Sequence, residues 1–259
     1  MRFMGTVKIT IVTVCYNSAA TIRDTLESVA LQFNKNFEHI IVDGGSTDGT
    51  VAVIREWNKH PIRFISEPDK GIYDAMNKGI RLASGDIIGI LNSSDLYYDS
   101  HVLENVSVVM SDASVDACYA DLIYVDQRNL KKIIRYWKSC VFKKGLFKKG
   151  WVPPHPTFFV RRLVYEKYGL FDLNYSLAAD FELMARLLER FQIQSIYVPK
   201  IFIKMRFGGV TNNSAVNIIR QNIEIYKACK KNNIPLSLPF FFITKIIFRI
   251  KQFCARPTI

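Results

Sequence analysis

KITIVTVCY, residues Lys8 to Tyr16, is a short apolar run rich in β-branched side chains. It stops at Asn17-Ser18 and is followed by apolar residues at helical spacing, Ile22, Leu26 and Val29. The pattern reads strand, loop, helix, and it recurs. Phe37 to Val42 runs into Asp43-Gly44-Gly45, ahead of a helix with Val51, Ile54 and Trp57 as its apolar stripe. Ile62 to Ile65 ends at Ser66-Glu67-Pro68-Asp69 and precedes a helix from about Tyr73 to Leu82, and Ile87 to Leu91 ends at Asn92-Ser93-Ser94-Asp95. Such alternation predicts right-handed β-α-β crossovers and an α/β fold with a mostly parallel central sheet flanked by helices. All strand carboxyl ends of such a sheet share one rim. Asn17, Asp43, Glu67, Asp69 and Asp95 are therefore predicted to gather where open α/β sheets take their ligands.

The rest of the chain of 259 residues is read more coarsely. Lys143 to Lys149 (KKGLFKK) reads as a mobile loop with a glycine pivot, and Trp151 to Pro156 (WVPPHP) as extended, because its three prolines forbid a helix. Asp180 to Arg190 has the spacing of an amphipathic helix, Ile196 to Lys204 of a partly alternating strand, and Val216 to Asn232 of another helix. From Pro235 onward, Phe240 to Ile243 and Ile246 to Phe248 are interleaved with Lys245, Arg249, Lys251 and Arg256.

Composition excludes several classes. Apolar residues make up 49% and charged ones 22%, which rules out a disordered or fibrous chain. The five cysteines are widely spaced and form no Cys-x-x-Cys pair, so no disulfide framework or zinc knuckle is expected, and a reducing compartment fits best. Met1 to Val7 lacks the apolar core of a signal peptide and no uncharged stretch is long enough to span a bilayer, so a cytoplasmic protein is expected.

The net charge of +12 is local. Residues 128 to 165 hold eleven Lys/Arg and no acid, residues 225 to 259 hold seven and no acid, and the remainder carries −6. A polyanionic partner is expected. The aromatic and aliphatic residues of the tail suit a helix lying among anionic lipid headgroups, and the charges at Lys245, Arg249 and Lys251 argue against a spanning segment. No nucleic-acid partner is expected, since none of the familiar reading motifs occurs.

Six segments, TVCYNSAATIRDTLESV, IIVDGGSTDGT, SEPDKGIYDAMNKGI, GDIIGILNSSD, HPTFFVRR and AADFELMARL, resemble in order the motifs of inverting family 2 glycosyltransferases. The resemblance spans roughly Lys8 to Thr211 and is nearest to bacterial enzymes of O-antigen and exopolysaccharide synthesis. It implies the GT-A fold, a Rossmann-like central sheet, here with a C-terminal amphipathic helical tail. Residues 1–125 would form a nucleotide-sugar-binding half, 126–225 an acceptor-binding and catalytic-base half, and 226–259 a basic membrane-associating tail.

The resemblance also implies roles. The donor is expected to be a nucleotide sugar, with uridine diphosphate the expected carrier. Asp43 and Asp74 are short carboxylates able to accept hydrogen bonds from a base or ribose, and the family match assigns both to the nucleotide, together with Thr13, Tyr16 and Asn17. Asp43 as a turn former and Asp74 as a first-turn helix acid are the structural alternatives. A departing diphosphate is offset by a divalent cation, Mn²⁺ or Mg²⁺, held by carboxylate oxygen. Asp95 is the expected ligand, while Asn92 and Ser94 stand at the donor site where the family usually carries acids, so metal affinity is expected to be weak.

Asp180 is implied as the general base, a role worth about 10²- to 10⁴-fold in rate. Glu182 lies about 200° around the same helix, so the two carboxylates cannot both face the cleft. His155, between two prolines, is a candidate contact for the acceptor or a phosphate, and Gly208, Gly209 and Thr211 for a flap. The expected acceptor is a polyprenyl-diphosphate-linked saccharide on an anionic membrane surface, with the enzyme peripheral on the inner face of the cell membrane. A catalytically silent subunit that binds sugar nucleotides or glycans is the alternative, motivated by the thinned Asn92 to Asp95 motif.

Overall fold

The computed structural model describes residues 7–208, 215–255 and 257. The flap residues Gly209 and Thr211, the N-terminal stretch up to Thr6 and Arg256 lie outside the described residues. The first half follows the predicted alternation: β1 (Ile9–Cys15), α1 (Ile22–Ala30), β2 (Phe37–Asp43), α2 (Thr50–Arg55), β3 (Arg63–Ser66), α3 (Ile72–Leu82) and β4 (Ile87–Asn92). β1 pairs in parallel with β2 and β4, and β2 with β3.

Every residue of β1 is buried, because helices cover both faces of this half. That explains why its sequence is continuously apolar and not alternating. Val12, Val14, Ile88 and Ile90 pack on one face with Ala75, Met76 and Ile80 of α3, whereas Ile9, Ile11, Ile87 and Leu91 pack on the other. α3 lies so close to β1 that a Cβ on Gly79 would fall 2.2 Å from Val12 Cγ1. Any larger residue there would push the helix off the sheet.

The second half comprises β5 (Asp95–Tyr97), α4 (Val102–Met110), β6 (Ala117–Val125), β7 (Ile133–Trp137), β8 (Phe159–Arg161), α5 (Arg162–Tyr168), α6 (Ala179–Ala185), β9 (Ser195–Arg206), α7 (Ala215–Lys231) and α8 (Leu238–Cys254). The strands join one sheet in the order β3-β2-β1-β4-β8-β6-β9-β5, with β7 also on β6. Here the expectation of a mostly parallel sheet needs correction. β6 and β9 are parallel, but the β4–β8, β6–β8, β6–β7 and β5–β9 pairs are antiparallel, so the sheet is mixed. Only a helical crossover forces parallel pairing. β5 and β8, three residues each, are reached from turns.

Two further expectations change. The segment Lys143 to Lys149 is anchored: Phe147 is 0% exposed, and the Glu189 carboxylate accepts hydrogen bonds from the Gly145 and Phe147 amides. Glu189 belongs to a π-helical turn, Arg186–Arg190, that continues α6 where a regular helix was predicted. The tail is a docked helix. α8 packs on β7 and on the short 3₁₀ turn Phe147–Lys149, so two basic runs far apart in sequence lie side by side. α7 runs through the 225/226 division without a break.

Candidate active site

The loops after β1, β2, β3 and β4 meet at one rim and are tied together by hydrogen bonds. The Asn17 amide donates to Ser46 Oγ (2.7 Å) and Asn17 Oδ1 accepts from the Thr47 amide (2.9 Å). Ser18 Oγ bonds Ser93 Oγ (2.7 Å), and the Ser93 amide reaches Val14 O. Asn17 has φ +47°, in the left-handed region where Asn is among the better-tolerated residues. Tyr16, 63% exposed, is a bare aromatic face beside this network.

Asp43 is buried at the end of β2. Its carboxylate accepts from the amides of Gly45 (3.1 Å) and Ser46 (3.0 Å) and from the Ser46 and Ser66 hydroxyls. Burial raises its pKa, but these donors prevail and hold it below the ordinary carboxylate value. The turn-forming role is thus present, and Ser46 Oγ closes over the carboxylate. The strand-end segment Ser66 to Asp69 completes the wall: a Cβ on Gly44 would fall 2.4 Å from Asp69 Oδ2, an approach that glycine alone permits. Asp74, in the first turn of α3, accepts from the Lys70 amide (3.1 Å) and lies 3.8 Å from Lys78 Nζ.

Thr13 is buried within β1. Its hydroxyl is buried and bonded to His39 Nε2 (2.8 Å), and His39 Nδ1 bonds His60 Nε2 (2.9 Å).

Asp95 is 0% exposed on β5. Asn92 Nδ2 donates to Asp95 Oδ2 (3.0 Å), while Asp95 Oδ1 and Asn92 Oδ1 are buried without a hydrogen-bond partner among the described residues. Burial pushes the Asp95 pKa up to about 7, against the Asn92 bond and the nearby Arg206. These two orphaned oxygens are hard donors of the kind Mn²⁺ or Mg²⁺ takes. No group of three or more His, Cys, Asp or Glu side chains able to hold a metal occurs among the described residues. The donors fit a cation that draws on one carboxylate. Arg206, at the end of β9, donates to Ser94 O (2.9 Å) and pairs with Asp24, which fixes this turn.

Asp180 lies in the first turn of α6, and the segment leading into that helix is held from outside. Glu224 of α7 accepts from the amides of Ser176, Leu177 and Ala178 at 3.1, 2.8 and 2.9 Å. Asp180 Oδ1 accepts from the Phe181 amide (2.8 Å) and from Tyr73 Oη (3.1 Å). No hydrogen bond to Oδ2 forms among the described residues. Tyr73 precedes Asp74 on α3, so this bond brings Asp180 to the rim that carries Asp69 and Asp74. Burial and then Asp180 keep the Tyr73 phenol protonated by pushing its pKa far up.

Glu182 points the other way: fully buried, it pairs with Arg186 (3.0 Å) and Asn232 (3.2 Å). His155 packs edge-on to Phe171 and is held neutral by burial, although nearby Asp180 acts in the opposite sense. Burial pushes the pKa of Tyr124 on β6 up.

Sequence reasoning overlooked Tyr73, Ser46 and Arg206. Ser46 and Tyr73 follow strand ends within the quoted segments and were recoverable. Arg206 reaches the rim through a strand pairing that the sequence did not reveal.

Comparison with known proteins identifies the family. The profile of "Glycosyl transferase family 2" matches residues 10–169. A PGL/p-HBAD biosynthesis glycosyltransferase of Mycobacterium bovis is 28% identical over 200 residues, 76% of each chain. A glycosyltransferase of Mycobacterium tuberculosis is 33% identical over 181 residues, 69% of this chain and 68% of the relative. Among solved structures, the mannosyltransferase PcManGT from Pyrobaculum calidifontis, in complex with GDP-Man and Mn²⁺, superposes with a TM-score of 0.65 at 20% identity, over 95% of this chain and 69% of that one. S. aureus TarS with UDP-GlcNAc gives a TM-score of 0.67 at 16% identity, over 93% and 71%. The chain therefore belongs to glycosyl transferase family 2: it is a GT-A-fold enzyme that takes sugar from a nucleotide-sugar donor, related to those of bacterial surface-polysaccharide biosynthesis.

Proposed function

We propose that the protein is an inverting glycosyltransferase that moves a sugar from a nucleotide diphosphate donor, with UDP as the carrier, to a hydroxyl of a polyprenyl-diphosphate-linked saccharide. The observation that carries the base assignment is the state of Asp180. One carboxylate oxygen is pinned by Tyr73 and Phe181, and the other has no partner among the described residues. A lone pair held in this way accepts a proton without reorganisation.

Donor binding then uses what the rim offers. The base stacks on Tyr16, and its N–H reaches Asp43 by displacing the Ser46 hydroxyl. Asn17 and Asp74 bound the ribose, and Thr13 supports the pocket from beneath through β1. Asp95, with Asn92 and Ser94, would hold Mn²⁺ or Mg²⁺, which when bound offsets the charge of the leaving diphosphate. The acceptor oxygen attacks the anomeric carbon as its proton passes to Asp180. The bond from that carbon to the diphosphate oxygen breaks, the nucleotide diphosphate leaves with the electron pair, and the configuration inverts. In this reading the neutral His155 side chain contacts the acceptor.

The acceptor's lipid puts the enzyme at the inner face of the cell membrane. No helix among the described residues is long and apolar enough to cross a membrane. α8 supplies a different contact. At 100° per residue, its exposed Ile243, Ile246, Ile247, Ile250 and Phe253 fall within an arc of about 120°, flanked by Arg249 on one side and Lys251 on the other. That is the pattern of a helix lying in the plane of anionic headgroups.

Incubation with a panel of UDP-sugars, Mn²⁺ and a synthetic lipid-diphosphate saccharide tests the reading. The expected result is a product whose new linkage is of opposite anomeric configuration to the donor. Retention of configuration, or nucleotide binding without transfer to any such acceptor, would overturn it.

A further inference from the structure

Arg135 of β7 is an unusual buried cation. It is 6% exposed, and its guanidinium lies over the rings of Tyr124 (4.6 Å), Trp137 (5.5 Å) and Phe253 (5.6 Å). Its Nε and Nη2 both donate to one oxygen, Gln252 Oε1 (2.7 Å from Nε), and among the described residues no carboxylate lies within ion-pair distance. Removing a cation from water without a counter-ion is costly, and contact with aromatic faces recovers only part of that cost.

More positive charge is gathered at the same place. Lys245, Arg249 and Gln252 stand at i, i+4 and i+7 on one edge of α8. Lys245 is half-buried and bonded to Asn222 Oδ1 (2.9 Å), with no carboxylate within ion-pair distance among the described residues. Arg249 is near enough to both to act as a like charge: burial and then Arg249 bring Lys245 down to about 8, and Arg135 is lowered in the same sense.

We propose that Arg135, Arg249 and Lys245 form a diphosphate-binding site at the junction of β7 and α8, and that it takes the diphosphate of the lipid-linked acceptor. A planar guanidinium fixed by three rings presents its remaining N–H groups in the fork that matches phosphate oxygens. The site is built against the central sheet, because Arg135 lies over the ring of Tyr124 on β6. The same helix turns its apolar stripe outward, so a diphosphate bound on its edge would have its lipid directed along that stripe. This assignment rests on the reading of the acceptor as a lipid diphosphate. The donor's diphosphate is the other source of the same chemistry.

Calorimetric titration of the full chain with inorganic pyrophosphate, geranyl diphosphate and UDP distinguishes the sources. Arg135→Gln and Arg249→Gln are each expected to weaken pyrophosphate and geranyl diphosphate at least about tenfold, the loss of one charge-assisted hydrogen bond, with UDP affinity unchanged. If UDP affinity falls while geranyl diphosphate is unaffected, the site serves the donor and the acceptor assignment is overturned. If no titration changes, there is no anion site. Arg249 is exposed, so its variant remains informative even where Arg135→Gln fails to fold. Failure of the wild type to bind UDP would count against the donor reading alone.

Discussion

Thr13→Val separates two roles for a residue that the family match assigns to the nucleotide and the structure turns toward His39. Trp57 Nε1 can only donate, so its bond to His60 Nδ1 (3.2 Å) fixes the direction of the whole chain. His60 Nε2–H then donates to His39 Nδ1, and His39 Nε2–H to Thr13 Oγ1. Both rings are neutral, His39 being pushed down to about 3 by burial and His60 to about 4. Valine keeps the β-branched shape that suits β1 and removes only the acceptor. It leaves an imidazole N–H unsatisfied in a site closed to water, at a cost of about 1–3 kcal/mol. Urea unfolding at neutral pH should show that loss, while calorimetric titration should give wild-type affinity for UDP. Unchanged stability together with a tenfold weaker UDP would refute the placement and return Thr13 to the nucleotide.

Asp180→Asn should abolish turnover and leave UDP affinity nearly intact in the same titration; collapse of UDP binding would remove Asp180 from the role of base. Asp95→Ala should eliminate stimulation of transfer by Mn²⁺ or Mg²⁺, and an unaltered metal dependence would dismiss it as a ligand. The pKa of His39 is lower folded than unfolded, so the unfolded chain takes up its proton first, and stability is complete above about pH 6.5 and lost as pH falls toward 3. Between about pH 7.5 and pH 5 that loss should be about 2 kcal/mol, read from urea midpoints, and His39→Leu should flatten the slope by this amount. Removing residues after Ile234 should prevent co-sedimentation with vesicles containing phosphatidylglycerol; persistent binding would show that α8 is not the contact.

The parallel half of the fold was legible because β1, β2 and β4 are apolar runs that each end at a polar loop before a patterned helix. The antiparallel half was not. β5 begins at Asp95, which reads as the end of a loop, and β8 is three residues inside a segment noticed for its prolines. Pairing direction also leaves no trace in a strand's own residues. Among site residues, Asp43, Asn17, Asp74 and Asp180 were reachable because each stands beside a strand end or helix start. The hydrogen-bond partner of Thr13 was not, since a hydroxyl on a buried strand carries no local sign of which face it takes. The anchoring of Phe147 by Glu189 spans 42 residues and depends on the π turn.

Glu224 sets a limit on how far the protein can be trimmed. Its carboxylate gathers three amides ahead of the helix that bears Asp180, and Lys231 and Asn232 at the other end of α7 both approach Glu182 on that helix. The stretch from 226 to 232 is therefore scaffold for the helix that bears Asp180. A shortened version that stops at 225 would keep Glu224 but lose Lys231 and Asn232 beside Glu182, and with them part of the support for that helix.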